Sequence, residues 1–198
     1  VVNPPTSHSA PIDQLAFEHR VIEQAVAGMD VLAARLAAGA DVPAALLTRL
    51  VEFLRVFADK CHHGKEEASL FPVLEAQGVP STGCPLGGLL GEHRKGRQLV
   101  DELAHSSEAY GAGSDAARDR VAASLRALQD LYTSHIWKED NLLFPLAGRM
   151  LPPAETGRLE LAFRQVEDCI GEHRLRELRD FAVQLQIGEH TYELQSRQ

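Results

Sequence analysis

Thiols, basic runs and long apolar stretches are all scarce in this 198-residue chain, and each scarcity removes a class of protein. The three cysteines, Cys61, Cys84 and Cys169, are an odd number at wide spacings with no Cys-x-x-Cys pair. That excludes a disulfide framework and points to a reduced, cytoplasmic setting. Twenty Lys and Arg against 28 Asp and Glu give a formal charge of −8, and no basic block stands out. Neither nucleic acid nor an anionic membrane is therefore expected as a partner. No apolar run approaches the length that spans a bilayer. The N-terminal stretch with Pro4, Pro5, Ser7, Ser9 and Pro11 lacks the pattern of a signal peptide. Sustained β-type alternation is also missing, because Val and Ile fall inside helical patterns. Histidine is what the chain has in plenty: nine residues, whose positions are not scattered.

Apolar residues recur at three- and four-residue steps. Leu15, Ile22, Val26, Met29, Leu32 and Leu36 mark a first amphipathic helix ending near Gly39. Leu46, Leu47, Leu50, Val51, Leu54 and Phe57 carry a second, with Pro43 in its first turn, through Leu70-Phe71-Pro72 to Gly78. A third runs from about Pro85 to Glu108. A fourth, capped by Ser114 or Asp115, runs through Val121, Leu125, Leu128 and Leu131 to Leu146. A fifth is expected from about Ala154 to Leu185. The expected fold is all-α, an antiparallel up-down four-helix bundle with an additional C-terminal helix. Residues 1–11 read as a flexible lead, 12–150 as the bundle and 151–198 as the C-terminal helix and tail.

The chain contains an internal repeat. Helices one and three each hold Glu-His-Arg, at Glu18-His19-Arg20 and Glu92-His93-Arg94. Residues 62–72 of helix two align without a gap on 135–145 of helix four, and His, Lys, Glu, Leu, Phe and Pro coincide at six of the eleven positions. The separation of His19 from His62 matches that of His93 from His135 to within one residue. Residues four apart lie one turn above each other, so His62 with Glu66, and His135 with Glu139, each aim an imidazole and a carboxylate at one point. With His19 and His93 added, four imidazoles and two carboxylates converge in an apolar interior. Unpaired, each neutral group would cost roughly 1–3 kcal/mol and each carboxylate more. A pair of cations offsets this, two carboxylates bridging while each ion takes two His, and mixed N/O ligation without thiolate favours iron or manganese over structural zinc. A lone His-x-x-x-Glu is ordinarily an exposed ion pair, which is the bland reading of His19 with Glu23, His63 with Glu67 and His173 with Glu177.

In His19, His62-x-x-x-Glu66, His93 and His135-x-x-x-Glu139, with Leu-Phe-Pro after both His-x-x-x-Glu units, the sequence resembles the hemerythrin family, specifically bacterial hemerythrin-like proteins with the His-His-Glu cation-binding domain. The resemblance implies a non-haem di-iron centre with an oxo or hydroxo bridge that binds dioxygen or a related small molecule. It makes His19, His62, His93 and His135 terminal ligands and Glu66 and Glu139 bridging ones. His63 competes with His62. The Phe-Pro pair stands at the same distance after His62 as after His135, which selects His62 and places His63, with Glu67, behind the ligands. Oxygen carriers of the family have a further His where this chain has Arg97, so each iron is expected to keep an open or water-filled position.

Two classes of function follow. In one, the metal site senses, stores or scavenges dioxygen, nitric oxide, peroxide or iron. In the other, the protein is a di-iron oxidase or oxygenase with an organic substrate and an unidentified redox partner, in which Tyr132 or His63 moves protons. Tyr132, three residues before His135, either faces the metals or is a core tyrosine. His173 and Glu177 are either a solvated pair outside the bundle or supplementary ligands. Cys61 and Cys169 read as small buried hydrophobes. A closed pocket for a diatomic molecule would favour the first class, and a wide channel the second.

Overall fold

Residues 10–187 are described in the computed structural model of the chain, and they contain helices and no strand. Six helices follow in order: α1 (Ala10–Ala37), α2 (44–76), α3 (Leu86–Gly111), α4 (115–150), α5 (Pro153–Ile170) and α6 (Glu172–Ile187). The first four form the bundle. Helix α4 packs on α1 and α3, and α2 on α3. Helix α1 begins at Ala10 and buries Pro11, so these two residues of the expected 1–11 lead are helical; residues 1–9 and 188–198 lie outside the described part. Ser114 holds the cap position of α4, but its side chain makes no cap bond. Among the described residues no helix is long and apolar enough to cross a membrane.

Apolar residues fill the bundle in two separate cores. One takes Ile22 and Met29 of α1, Leu50 and Phe57 of α2, Leu103 of α3 and Leu125 and Leu128 of α4. The other takes Ile12 and Leu15 of α1, Leu70 and Leu74 of α2, Leu89 of α3 and Leu143 and Phe144 of α4. On every helix the repeat residues fall between these two sets, so the fold holds a polar layer between two dry ones.

Two helices depart from regular α geometry where they meet this layer. In α2, Leu54–His63 and Glu66–Leu70 are π-helical, and in α4 so is Glu139–Leu143. The turns just before Phe71-Pro72 and Phe144-Pro145 have a direct cause. A proline has no N–H to donate and its ring crowds the carbonyl four residues back, here that of Ala68 or Asn141, so the preceding turn widens.

The single C-terminal helix expected from the sequence is two helices. Gly171 separates them at φ 94°, a left-handed conformation that glycine adopts without strain. Leu159 and Phe163 of α5 join the second core, while Leu178, Phe181 and Leu185 of α6 join the first. The hairpin covers α1 and α2. Its approach is close: a Cβ on Gly28 would lie 2.4 Å from the Leu185 Cγ.

Candidate metal centre

The polar layer brings its donor atoms together in two quartets. His19, His62, Glu66 and Glu139 each offer a ligand atom within 4.8 Å of the others, and so do His63, Glu66, His93 and His135; all are buried. Both carboxylates reach across the layer. Glu66 points Oε1 at His62 Nε2 and Oε2 at His93 Nε2, each at 3.6 Å. Glu139 Oε2 lies 3.2 Å from the Nε2 atoms of His19 and His135, while its Oε1 faces His93 Nε2 at 3.9 Å. A carboxylate with one oxygen toward each half of a site can bridge two cations.

Every imidazole is held from behind. Nδ1 of His19 faces Asp140 at 2.7 Å, that of His62 faces Glu18 at 3.0 Å, and that of His63 faces Asp59 at 3.4 Å. His93 is set against Glu67 at 2.7 Å and His135 against Glu92 at 3.0 Å. This fixes the ring so that Nε2 turns inward. A cation backs each carboxylate in turn: Arg20 on Asp140, Lys65 on Glu18, Lys138 on Glu92, and Arg97 on both Asp59 and Glu67. The repeat explains the pattern. In each half the Glu of Glu-His-Arg holds the first His of the His-x-x-Lys-Glu unit, and the Lys of that unit neutralises the Glu. Phe144 stacks on His19 with ring centroids 5.1 Å apart, and Phe71 on His93 at 5.9 Å.

Five buried atoms of this layer have no hydrogen-bond partner: Nε2 of His62 and of His63, both oxygens of Glu66, and Oε1 of Glu139. In a well-packed interior each such atom is costly, by roughly 1–3 kcal/mol, unless something coordinates it. Burial, with the neighbouring imidazoles, pushes His62 and His63 well below the ordinary imidazole range, so both are neutral lone-pair donors. Burial pushes Glu66 well above the carboxylate range, and Glu139, Glu18 and Glu67 add to it. Burial acts the same way on Glu139, but His135 and His19 outweigh it and hold that carboxylate well below. His135 is disfavoured by burial yet raised to about 9 by Glu139 and Glu92. His19, likewise disfavoured by burial, is raised by Asp140 and Glu139. Without a cation the shifts favour protons on Glu66, His135 and His19, and a cation entering the layer competes with them.

The structure brings His19, His62, Glu66, His93, His135 and Glu139 together, as the repeat spacing predicts. It brings in His63 as well, which the register argument left behind the ligands. Glu67 lies outside the cluster, and the His63–Glu67 pair does not form, because His63 turns to Asp59 and Glu67 to His93. Glu23 pairs with Arg20 near the surface rather than with His19. His173, with its side chain 84% exposed, faces Glu177 at 3.6 Å, and neither belongs to a donor cluster among the described residues. Tyr132 is buried, its ring parallel to that of His63 at 6.3 Å. Arg97 does not enter the cluster. Cys61 is buried as expected, with its thiol pushed up to about 12, but Cys169 is exposed.

Glu18, Glu92, Asp59, Asp140, Lys65 and Lys138 were not singled out from the sequence. Four of them carry a signal there, as conserved members of the internal repeat. A third cluster, Glu18, Cys61 and Glu167, already holds a cation: the Lys65 ammonium bonds to both carboxylates and lies over the Phe163 ring.

Residues 10–147 match the sequence model of the Hemerythrin HHE cation binding domain. Similar curated proteins include uncharacterized proteins of Mycobacterium tuberculosis strain H37Rv and Mycobacterium bovis, each 28% identical over 159 residues, or 80% of this chain. The aligned stretch covers 61% of each relative's length.

Proposed function

The chain belongs to the hemerythrin HHE cation-binding family, and from that premise we propose that it is a non-haem di-iron protein that binds or reacts with dioxygen, peroxide or nitric oxide. The observation that carries this reading is the set of unpartnered buried donor atoms at the junction of the two quartets. His19 and His62 would serve one ion and His93 and His135 the other, with Glu66 and Glu139 spanning both. Imidazole and carboxylate without thiolate suit iron, with manganese as the alternative. Two such metal ions, held by these residues, would supply electrons and Lewis acidity to a small oxidant.

The surrounding residues determine what reaches the site. A cavity of about 230 Å³, lined by Leu54, Asp59, His63, Gly96, Arg97 and Tyr132 among others, ends at the edge of the cluster. It is smaller than the roughly 300–1,000 Å³ usual for organic ligands, which favours a diatomic molecule or peroxide over an organic substrate. Its walls also include Arg55 and Asp101. Asp59, with burial opposed by His63 and Arg97, is held at about 2 and accepts the Nδ1 proton of His63 without taking it.

An approach that carries the charged side chains Arg55, Asp59, Arg97 and Asp101 favours reaction over reversible carriage, with electrons supplied by a separate redox partner. Stopped-flow mixing of the reduced, iron-loaded protein with oxygen or peroxide should show consumption of the oxidant and direct return to the ferric spectrum. A spectrum formed with oxygen that reverts under vacuum would identify a carrier instead.

A further inference from the structure

We propose that His63 is a fifth imidazole ligand, so that the two metal ions held between the quartets have an unequal ligand set, with three imidazoles (His63, His93, His135) on one ion and two (His19, His62) on the other. The inference rests on the two-ion reading for its context but on separate atoms for its support. His63 is 3% exposed, and its Nε2 is buried with no hydrogen-bond partner. A ring nitrogen of His63 lies within 4.8 Å of donor atoms of Glu66, His93 and His135. An imidazole that only buttressed a neighbour would turn both nitrogens onto partners or water. His63 turns Nδ1 onto Asp59 and leaves Nε2 facing the donors, the same posture as the other four histidines.

The helix supplies the reason that two successive histidines both face inward. Consecutive side chains on an α-helix diverge by about 100°, which would swing one of them off the site. The π-helical winding of Leu54–His63, in which the Gly64 amide reaches the Asp59 carbonyl, narrows that angle. Packing then fixes the ring. His63 stacks on His93 at 3.8 Å between centroids and meets His135 edge-on at 5.5 Å. Arg97 completes the support from outside, since it binds Asp59 behind His63 and Glu67 behind His93.

The test compares metal retention in wild type, His63→Ala and His63→Gln, each loaded anaerobically with ferrous iron, passed through a desalting column and analysed for iron and by Mössbauer spectroscopy. Circular dichroism of the metal-free chains checks folding; His63→Gln, which fills more of the space of the ring than His63→Ala, should lose less in melting temperature. Both variants should bind one of the irons at least about tenfold more weakly, with loss of one Mössbauer doublet. Imidazole added to His63→Gly should restore the second iron. Variants that keep wild-type iron content and an unchanged spectrum would overturn the proposal. If wild type itself holds a single ion, the two-ion reading fails, and the proposal is still decided by whether His63→Ala loses that ion or keeps it.

Discussion

Glu66→Ala should yield a folded chain that retains almost no iron after desalting, whereas Glu67→Ala, one residue along, should keep most of it. Glu66 is the one residue common to both quartets, and neither of its buried oxygens has a hydrogen-bond partner. Its removal withdraws a ligand from both ions at once and leaves two cations facing each other with one carboxylate fewer between them. The metal-free variant should not be less stable, because Glu66 in that state is a buried group that burial and neighbouring carboxylates keep protonated. Glu67 acts at one remove: its carboxylate accepts from His93 Nδ1 at 2.7 Å and is itself held by Arg97. Partners of that kind are typically worth 10–100-fold in metal affinity, so a loss should appear only at limiting iron. Iron analysis of both variants is decisive, and the reverse ranking would mean that Glu67 bridges and that the register of α2 is misassigned.

Lys65→Met should produce the largest loss of stability among the charged residues around the centre. Lys65 has no exposed side-chain surface and joins Glu18 to Glu167 of α5, so the substitution leaves the Glu18 carboxylate buried without its cation. Removing one partner from a buried ion pair generally costs about 3–5 kcal/mol. Glu18 also orients His62, so iron affinity should fall in parallel, by roughly 10–100-fold. Its counterpart in the other half, Lys138, pairs with Glu92 in the same way but is 38% exposed. Lys138→Met should therefore change stability by only about 1 kcal/mol or less. Urea denaturation of the two metal-free variants measures the contrast. Equal losses would show that burial does not distinguish the halves and that α5 does not stabilise the centre through Glu167.

The contrast between Lys65 and Lys138 also shows which parts of the molecule were legible in the sequence. Helical periodicity located the four bundle helices, and the repeated His-x-x-x-Glu units together with the repeated Glu-His-Arg located the six residues that meet between the two apolar cores. Such signals are local and periodic. The carboxylates behind the histidines come from other helices: Glu18 serves His62, and Asp140 serves His19. No spacing within one helix encodes those pairs, although Glu-His-Arg and His-x-x-Lys-Glu occur twice because both halves use them. His63 was set behind the ligands by the register of Phe-Pro after His62 and His135, which admits one histidine per repeat, whereas the π-helical turns of α2 turn two successive histidines to the layer. The C-terminal segment read as one helix because its apolar period continues across Gly171, and only the left-handed φ there divides it. Its contribution through Glu167 depends on that fold-back.

The most direct test of the central claim is quantitative metal analysis of the chain, expressed with ample iron and examined by Mössbauer spectroscopy. Two irons per chain are expected, because two quartets share Glu66, and the spectra should show a magnetically coupled pair without sulfur ligation. A chain that holds no iron, or one tetrahedral zinc in its place, would contradict the account.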